Sequence, residues 1–484
     1  MQKKFTLPTI WPVTCHTKHV GPGTTFVAIL GSTYDGLQFV AQALAQGAAK
    51  IVVSEQVVTS ELCALIAQYK AELIPVLDPR IALSSLSAEA WGFPAQSLKI
   101  IGVTGTKGKT TSVYALRHLL VKSGRTTAML SGVDNWIGEH KFPAALTTPQ
   151  ADYLHMFLAQ CVEQKIEYVV MEVSAQALSL GRVSDISLAG IIFTNFEMEH
   201  SEFYESLEAY FAAKLKIFGL LQSDGFVVLN LDDQWVCQIL SKVDFLVTQK
   251  KLLFAANLAN LSQDCAQLIF AKSNLFYGLL FELNLLNGAN LQFSVPNLSG
   301  VFNVYNISGV VLTAQALGID IGDLQAGLET LTSAPGRLEI YDLPNGARGV
   351  VDYAHTPSSF RHILSLLRQE TQNLILVFGA GGGRDPYKRP IMGNIALSLC
   401  DIVILTNDNP RHEEPMSIVQ QIIGLNDRSR FIIELDRSQA ILKAYQVSKL
   451  GDIVVLLGKG PDEYQQIGAE KYFFSDREQL LKLF

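Results

Sequence analysis

Apolar residues in this chain arrive in bursts of strand length, each closed by glycine, asparagine or aspartate, with helical text in between. TFVAILG (25–31) and KIVVS (50–54) read as strands, separated by FVAQALAQGAA, a helix with a glycine stop, and followed by the helical ELCALIAQY. LKIIGVTG (98–105) is a strand that runs into a glycine loop, and TTSVYALRHLLVKSG is a helix that again stops at glycine. IEYVVMEV, AGIIFTN (189–195) and GFVVLNLDD (225–233) supply further strands with polar ends. SAPGRLE (333–339) is a boundary rich in turn formers. Beyond it NLILVFGAGGGRD, DIVILTNDNPR and DIVVLLGKGPDE repeat one scheme, a hydrophobic strand followed by polar turn residues, with helices such as SSFRHILSLLRQ between. The pattern predicts an α/β protein of three domains. A small N-terminal α/β domain spans 1–97, a central phosphate-loop ATP-binding α/β domain 98–332, and a C-terminal Rossmann-like domain 333–484.

GVTGTKGKTT (102–111) carries the chemistry of the central block, although its first glycine stands one residue too early for the usual GxxxxGK[ST]. Gly105 and Gly108 let backbone N–H groups crowd around phosphate oxygens, Lys109 reaches the outer phosphates, and the Thr110 hydroxyl suits Mg²⁺. A plain glycine turn with a surface lysine is the alternative, and the strand and helix on either side argue against it. The loop alone does not separate an ATPase from a ligase. Glu172 ends a strand, where its carboxylate can hold Mg²⁺ directly or through water. His200, just past the next strand, is a candidate for a second divalent ion, whereas Glu197, Glu199 and Glu202 read equally well as a solvated acidic turn. Lys214 stands on a helix with an apolar face, and solvent exposure is the ordinary expectation for it.

The third block offers charges of both signs at strand ends. Arg384 and Arg411 suit bidentate carboxylate contacts, Asn409 can serve either charge, and Asp462 and Glu463 can bind an ammonium. Such a set fits an amino acid with more than one ionic group, or else a solvated rim. GAGGGRD follows a later strand instead of opening the domain, which counts against a nicotinamide cofactor.

Composition narrows the classes. With 49% hydrophobic and 17% charged residues the chain suits ordinary cores, and a net charge of -7 makes nucleic acid an unexpected partner. Six cysteines lie far apart with no CxxC pair, as free thiols of a reducing compartment do. MQKKFTLPTIWPV has no sustained apolar run and no stretch is of membrane length, so a cytoplasmic protein without signal peptide or transmembrane segment is expected.

The ordered set GVTGTKGKTT, TTP, MEVSAQAL, LGRV, FTN…EH, YFAAK, NLDD, VFNVYN, PGRLE, DYAHTP, FGAGGGRDPYKRP, DNPRHEEP and GKGPDEYQ resembles the Mur ligases of peptidoglycan synthesis over nearly the whole chain. Within that family it resembles the branch that adds the third stem-peptide residue to UDP-N-acetylmuramoyl-L-alanyl-D-glutamate. The resemblance implies an ATP- and Mg²⁺-dependent amide ligase, acting through an acyl phosphate and expected as a cytoplasmic monomer. It implies that Gly105, Thr106, Lys107, Gly108, Lys109, Thr110 and Thr111 hold the nucleotide. Asn303, Asn306, Arg337, Asp352, Tyr353 and His355 would lie around the adenine and the domain junction. Lys109, Glu172, His200 and Lys214 match catalytic positions, with Thr110, Glu172, His200 and Lys214 associated with two Mg²⁺ ions. Lys214 matches the lysine that this family carbamylates. Thr147, Thr148, Ser174 and Arg182 match contacts to the UDP-muramoyl dipeptide. Arg384, Asn409, Arg411, Gly458 and Asp462 match contacts to the incoming amino acid.

Arg411 in DNPR implies meso-diaminopimelate, whose distal carboxylate L-lysine lacks. GKGPDEYQ departs from the GKGHE form of diaminopimelate enzymes and resembles some lysine-adding relatives, as do GTKGK and Gln176. The family's DSR near the uridine appears here as His16-Thr17-Lys18, and its SRDH as Glu197-Met198-Glu199-His200. A ligase with a different first substrate therefore stays open. A non-catalytic ATP-binding regulator is a further class, against which stands the presence of Lys109, Thr110, Glu172, His200 and Lys214.

Overall fold

A computed structural model describes residues 5–31, 34–197, 203–244, 249–260, 265–274, 278–285 and 289–484. The chain divides into two compact units, one formed by 1–271, 281–293 and 302–328, the other by 272–280, 294–301 and 329–484. Among the described residues three large sheets and a two-stranded ribbon, Tyr464–Ile467 with Glu470–Phe473, run through it.

The N-terminal sheet is parallel and four-stranded, in the order Val13–Thr14, Thr25–Val27, Lys50–Ser54, Glu72–Val76. The first two blocks read from the sequence share one compact unit. Helix Pro79–Ala90 packs on helix Ala151–Glu163. The buried Asp152 carboxylate accepts from Thr14 Oγ1 at 2.9 Å and from Cys15 N at 3.0 Å. Burial and that carboxylate push the Cys15 thiol well above its ordinary pKa.

The central sheet has eleven strands. Its parallel heart runs Lys250–Ala255, Leu221–Asn230, Leu188–Phe193, Lys99–Thr104, Tyr168–Glu172, Thr127–Leu130. Asp134–Ile137 and His140–Pro143 extend it antiparallel. Tyr168–Glu172 and Thr127–Leu130 are buried throughout and Lys99–Thr104 and Leu188–Phe193 nearly so, which explains their continuous Val, Ile and Met runs. From Lys99–Thr104 the chain crosses helix Lys109–Lys122 to one side of the sheet, and returns later to place Leu188–Phe193 on the other. The glycine loop therefore opens where the strand order reverses, between the polar ends Glu172 and Thr194. The helix is held by Val113, Leu116 and Leu120, one buried face at i, i+3, i+7.

The second unit carries a six-stranded sheet, ordered Glu339–Asp342, Arg348–Asp352, Ile453–Leu457, Leu374–Phe378, Ile402–Leu405, Ile432–Ile433, with only the first strand antiparallel. Helix Pro357–Arg368 opens on a capping box between Thr356 and Ser359 and buries Phe360, Ile363, Leu364 and Leu367. Arg437 and Asp476, both fully buried, pair at 2.7 Å, and the same guanidinium donates to Asn407 O and Leu457 O. It thereby ties the ends of two strands that lead into DNPR and GKGP. Among the described residues no helix is long and apolar enough to cross a membrane.

Candidate functional site

In the first unit the loop 105–108 is shaped by backbone that only glycine tolerates. Gly105 and Gly108 have φ of 138° and 83°, and a Cβ at either would collide, with Thr194 Oγ1 and with Asn306 Oδ1 respectively. Thr194 Oγ1 donates to Lys107 O at 2.6 Å, and Asn195 Oδ1 accepts from Lys107 N at 2.9 Å. Glu197 N donates to Thr106 Oγ1 at 3.0 Å, and the Glu197 carboxylate pairs with Lys107 Nζ at 2.6 Å. Glu197 thus braces the loop and is no loose acidic turn. Lys109 Nζ folds over the loop to Gly105 O and Thr106 O at 2.9 and 2.7 Å.

Thr110 Oγ1 donates to Glu172 Oε1 at 2.9 Å, and Gly132 N donates to the same oxygen at 3.0 Å. A hydroxyl and a carboxylate at the helix N-terminus form the hard oxygen pair that Mg²⁺ takes, completed as a rule by phosphates and water. Among the described residues no group of three His, Cys, Asp or Glu gathers for a metal. His200 lies outside the described residues, with Glu199 and Glu202.

Lys214 departs from the exposure expected of a lysine: it is 1% exposed. Helix Leu207–Leu215 turns it inward, where Nζ donates to Gly105 O at 2.7 Å and sits 4.8 Å from the Tyr210 ring centroid. Asn303 and Asn306 are buried on helix Val301–Ala316 and bond each other at 3.0 Å. Thr148 Oγ1 donates to Glu172 O at 2.9 Å and accepts from Ser174 N at 3.0 Å, while Arg182 Nη1 donates to Thr148 O at 3.1 Å. Thr147 lies next to Gly132. Thr147, Thr148, Ser174 and Arg182 therefore adjoin the Thr110–Glu172 pair. Thr111 continues the helix.

In the second unit the candidates gather at carboxyl ends of the parallel strands. Asp352 accepts from Leu338 N and Ala354 N, both at 2.8 Å; burial raises its carboxyl pKa and Arg337 opposes the rise. Arg337 lies 5.0 Å from the Tyr353 ring centroid, and His355 Nδ1 bonds Tyr353 O at 2.7 Å. Arg384 and Arg411 converge on Gly381, where an added Cβ would lie 3.7 Å from Arg384 Cγ and 3.0 Å from Arg411 Nη1. Asn409 Nδ2 donates to Asp462 Oδ2 at 3.3 Å. At Gly458 a Cβ would stand 2.6 Å from Asp408 Oδ2. Lys459, fully buried, donates to Asn409 Oδ1 and Tyr464 O; burial lowers its ammonium pKa and Asp408 opposes that. Burial raises the Asp462 carboxyl, with Lys459 opposing.

Three family models match in chain order: "Mur ligase family, catalytic domain" over 9–91, "Mur ligase middle domain" over 103–314, and "Mur ligase, glutamate ligase domain" over 336–460. A UDP-N-acetylmuramoyl-L-alanyl-D-glutamate–2,6-diaminopimelate ligase of Clostridium perfringens is 36% identical over 466 residues, covering 95% of this chain and 92% of the relative.

The chain belongs to the Mur ligase family.

A ligase of the same description from Aquifex aeolicus is 34% identical over 99% of this chain and 94% of its own. A solved structure of such a ligase aligns with a TM-score of 0.65 at 28% identity, covering 98% of this chain and 94% of its own. As a Mur ligase the chain has the three α/β parts in the family's order, and its ATP-binding fold uses ATP with Mg²⁺. Sequence reasoning missed several braces, in the first unit Thr194, Asn195 and Glu197 around the loop and Asp152 beneath the N-terminal sheet, and in the second unit Asp408 and Lys459 beside the acceptor candidates. Polar residues at strand ends were the available signal for the first three. Asp152 had none in its local text.

Proposed function

We propose that this chain adds meso-diaminopimelate to UDP-N-acetylmuramoyl-L-alanyl-D-glutamate with ATP, in the synthesis of peptidoglycan precursors. The observation that carries the choice of amino acid is the convergence of Arg384 and Arg411 on Gly381, beside Asn409 and Asp462. Two guanidiniums and a carboxylate suit a diamino acid that ends in a second carboxylate. The same branch of the family supplies the relatives at 34–36% identity.

In this reading the domain borders fall at 97/98 and 332/333, and the enzyme is a cytoplasmic monomer. Residues 105–111 cradle the phosphates, Lys109 exchanging its loop carbonyls for phosphate oxygens. Thr110 and Glu172 would hold Mg²⁺, with His200 and a carbamylated Lys214 serving a second ion; the burial of Lys214 beside the loop supports this reading. Mg²⁺ supplies charge neutralisation where oxygen charge builds up. Thr147, Thr148, Ser174 and Arg182 orient the UDP-muramoyl dipeptide, and Asn303, Asn306, Arg337, Asp352, Tyr353 and His355 surround the adenine. The D-glutamyl carboxylate takes the γ-phosphoryl group, releasing ADP. The amine then attacks the acyl carbon and phosphate leaves. Arg384 and Arg411 clamp the distal carboxylate of the acceptor, while Asp462 and Asn409 hold an ammonium.

L-Lysine is the second reading, favoured by GKGPDEYQ, GTKGK and Gln176, which resemble lysine-adding relatives. Mass spectrometry of reactions with ATP, Mg²⁺, the UDP-muramoyl dipeptide and each diamino acid, separately and in competition, decides. A diaminopimelate tripeptide is the expected product. A lysine product would move the assignment to the lysine branch. No product with either, alongside intact ATP binding, would refute the first substrate and turn attention to exposed His16 and Lys18.

A further inference from the structure

Two loops carry the acceptor guanidiniums, residues 379–384 with Arg384 and 408–414 with Arg411, and one charge pair, a buried arginine with a half-buried glutamate, joins them. Arg389 is 1% exposed on helix Lys388–Leu399. Its guanidinium grips Glu413 in bidentate fashion, Nη1 to Oε2 at 2.7 Å and Nη2 to Oε1 at 3.1 Å. The second N–H of each terminal nitrogen reaches Gly381 O at 3.0 Å (Nη2) and Gln421 Oε1 at 2.6 Å (Nη1), while among the described residues buried Nε has no partner. Glu413 Oε1 in turn accepts from Gly383 N at 2.5 Å. One guanidinium and one carboxylate thus bind the glycines on both sides of Gly382, whose own N–H donates to Asn409 O at 2.9 Å. Arg411 Nη1 closes the ring by donating to Gly382 O at 2.6 Å.

The residue held by this ring is itself strained. Arg411 has φ of 53°, a left-handed conformation that costs a branched or long side chain free energy unless its surroundings fix it. Its backbone is fixed from the other side by the strand Tyr464–Ile467: Arg411 N donates to Gln466 O at 3.0 Å, and Gly468 N donates to Arg411 O at 2.6 Å.

We propose that Arg389 and Glu413 are positioning residues that set the spacing of Arg384 and Arg411, and so set the preference for an acceptor with a second carboxylate. The proposal rests on the amino-acid-acceptor reading given above. Arg389 is enclosed and its partners use both terminal nitrogens, so it touches no substrate and acts through the two loops. A planar bidentate fork fixes distance and angle together, which a lysine ammonium in the same place does not. A shift of about an ångström in a clamp is enough to cost on the order of a hundredfold in rate.

The test compares wild type, Arg389→Lys and Glu413→Gln, reading kcat/KM for meso-diaminopimelate and for L-lysine, KM for ATP, and thermal stability. The expected result is a diaminopimelate-over-lysine ratio lowered about tenfold or more in both variants, carried by KM for diaminopimelate, with KM for ATP within about twofold of wild type. Equal losses for both diamino acids, or a parallel rise in KM for ATP, would show a purely structural pair and overturn the proposal. Should Arg389→Lys fail to fold, Glu413→Gln decides, since its amide still accepts from Gly383 N. A wild type that ligates neither diamino acid would remove the acceptor reading itself, a result distinct from any variant effect.

Discussion

His155 gives the sharpest test of the physical description. It sits on helix Ala151–Glu163, fully buried, and among the described residues neither ring nitrogen has a hydrogen-bond partner. Burial holds its pKa down to about 4, against the pull of Asp185 and Asp152. The unfolded chain protonates near 6.5, so between those values it binds more protons than the folded chain. Stability contributed by the neutral ring is complete above about 6.5, falls as pH drops, and is fully lost below about 4, a total of about 3 kcal/mol. Between pH 7.5 and 5 the loss amounts to about 2 kcal/mol. His155→Met removes the titration while keeping a flexible apolar filler of similar reach. The assay is urea unfolding at several pH values, followed by tryptophan fluorescence. All four tryptophans, at 11, 91, 136 and 235, lie in the first unit, so the signal reports that unit alone. The expected outcome is a wild-type free energy that declines by about 2 kcal/mol more than the variant's over this range. Equal pH dependence in the two proteins would refute the reasoning, because it would mean that the ring finds a proton acceptor or water in the folded state.

Three further outcomes follow from the geometry. Lys109→Ala should lower ligation by at least about a hundredfold with unchanged circular dichroism; near-normal turnover would exclude Lys109 from phosphate chemistry. Arg411→Ala should raise KM for the diamino acid by about tenfold or more and leave KM for ATP alone, whereas equal changes in both would break the link between Arg411 and the acceptor. Asp476→Asn strands the fully buried Arg437 guanidinium, and should cost about 3–5 kcal/mol, read as faster hydrogen exchange in the strands of the second unit. Arg437→Met combined with Asp476→Leu should recover part of it, and a double variant weaker than the single one would contradict that account.

The sequence makes the parallel strands visible because burial on both faces writes them as unbroken Val, Ile and Leu runs. Lys99–Thr104, Tyr168–Glu172, Leu374–Phe378, Ile402–Leu405 and Ile453–Leu457 lie inside stretches read as strands, and Leu188–Phe193 starts one residue before the 189–195 read from the sequence. The first strand ends at Val27, earlier than the apolar run to 31 suggests, because the chain turns there and Leu30 is 66% exposed. Short antiparallel strands such as Asp134–Ile137 and His140–Pro143 escaped notice, since their mixed residues carry no clear period. The glycine loop was legible because its glycine, lysine and threonine stand within one turn of each other. Bonds such as Arg389–Glu413, Arg437–Asp476 and Thr14–Asp152 were not, because each joins segments whose local texts say nothing of one another. Lys214 shows the limit from the other direction: residue type predicts water, and the fold supplies a carbonyl and an aromatic ring.

The loop 105–108 owes its shape to residues that are made long after it. Thr194, Asn195 and Glu197 hold its backbone, Lys214 caps Gly105, and Asn306 fills the space beside Gly108. A nascent chain emerging from the ribosome therefore carries the complete phosphate-loop sequence well before it carries a complete phosphate site. Until residue 306 has cleared the exit tunnel, the loop lacks the last of the side chains that surround it in the finished chain. Completion of the loop's surroundings is an event of late synthesis, timed by where in the gene the last brace is encoded.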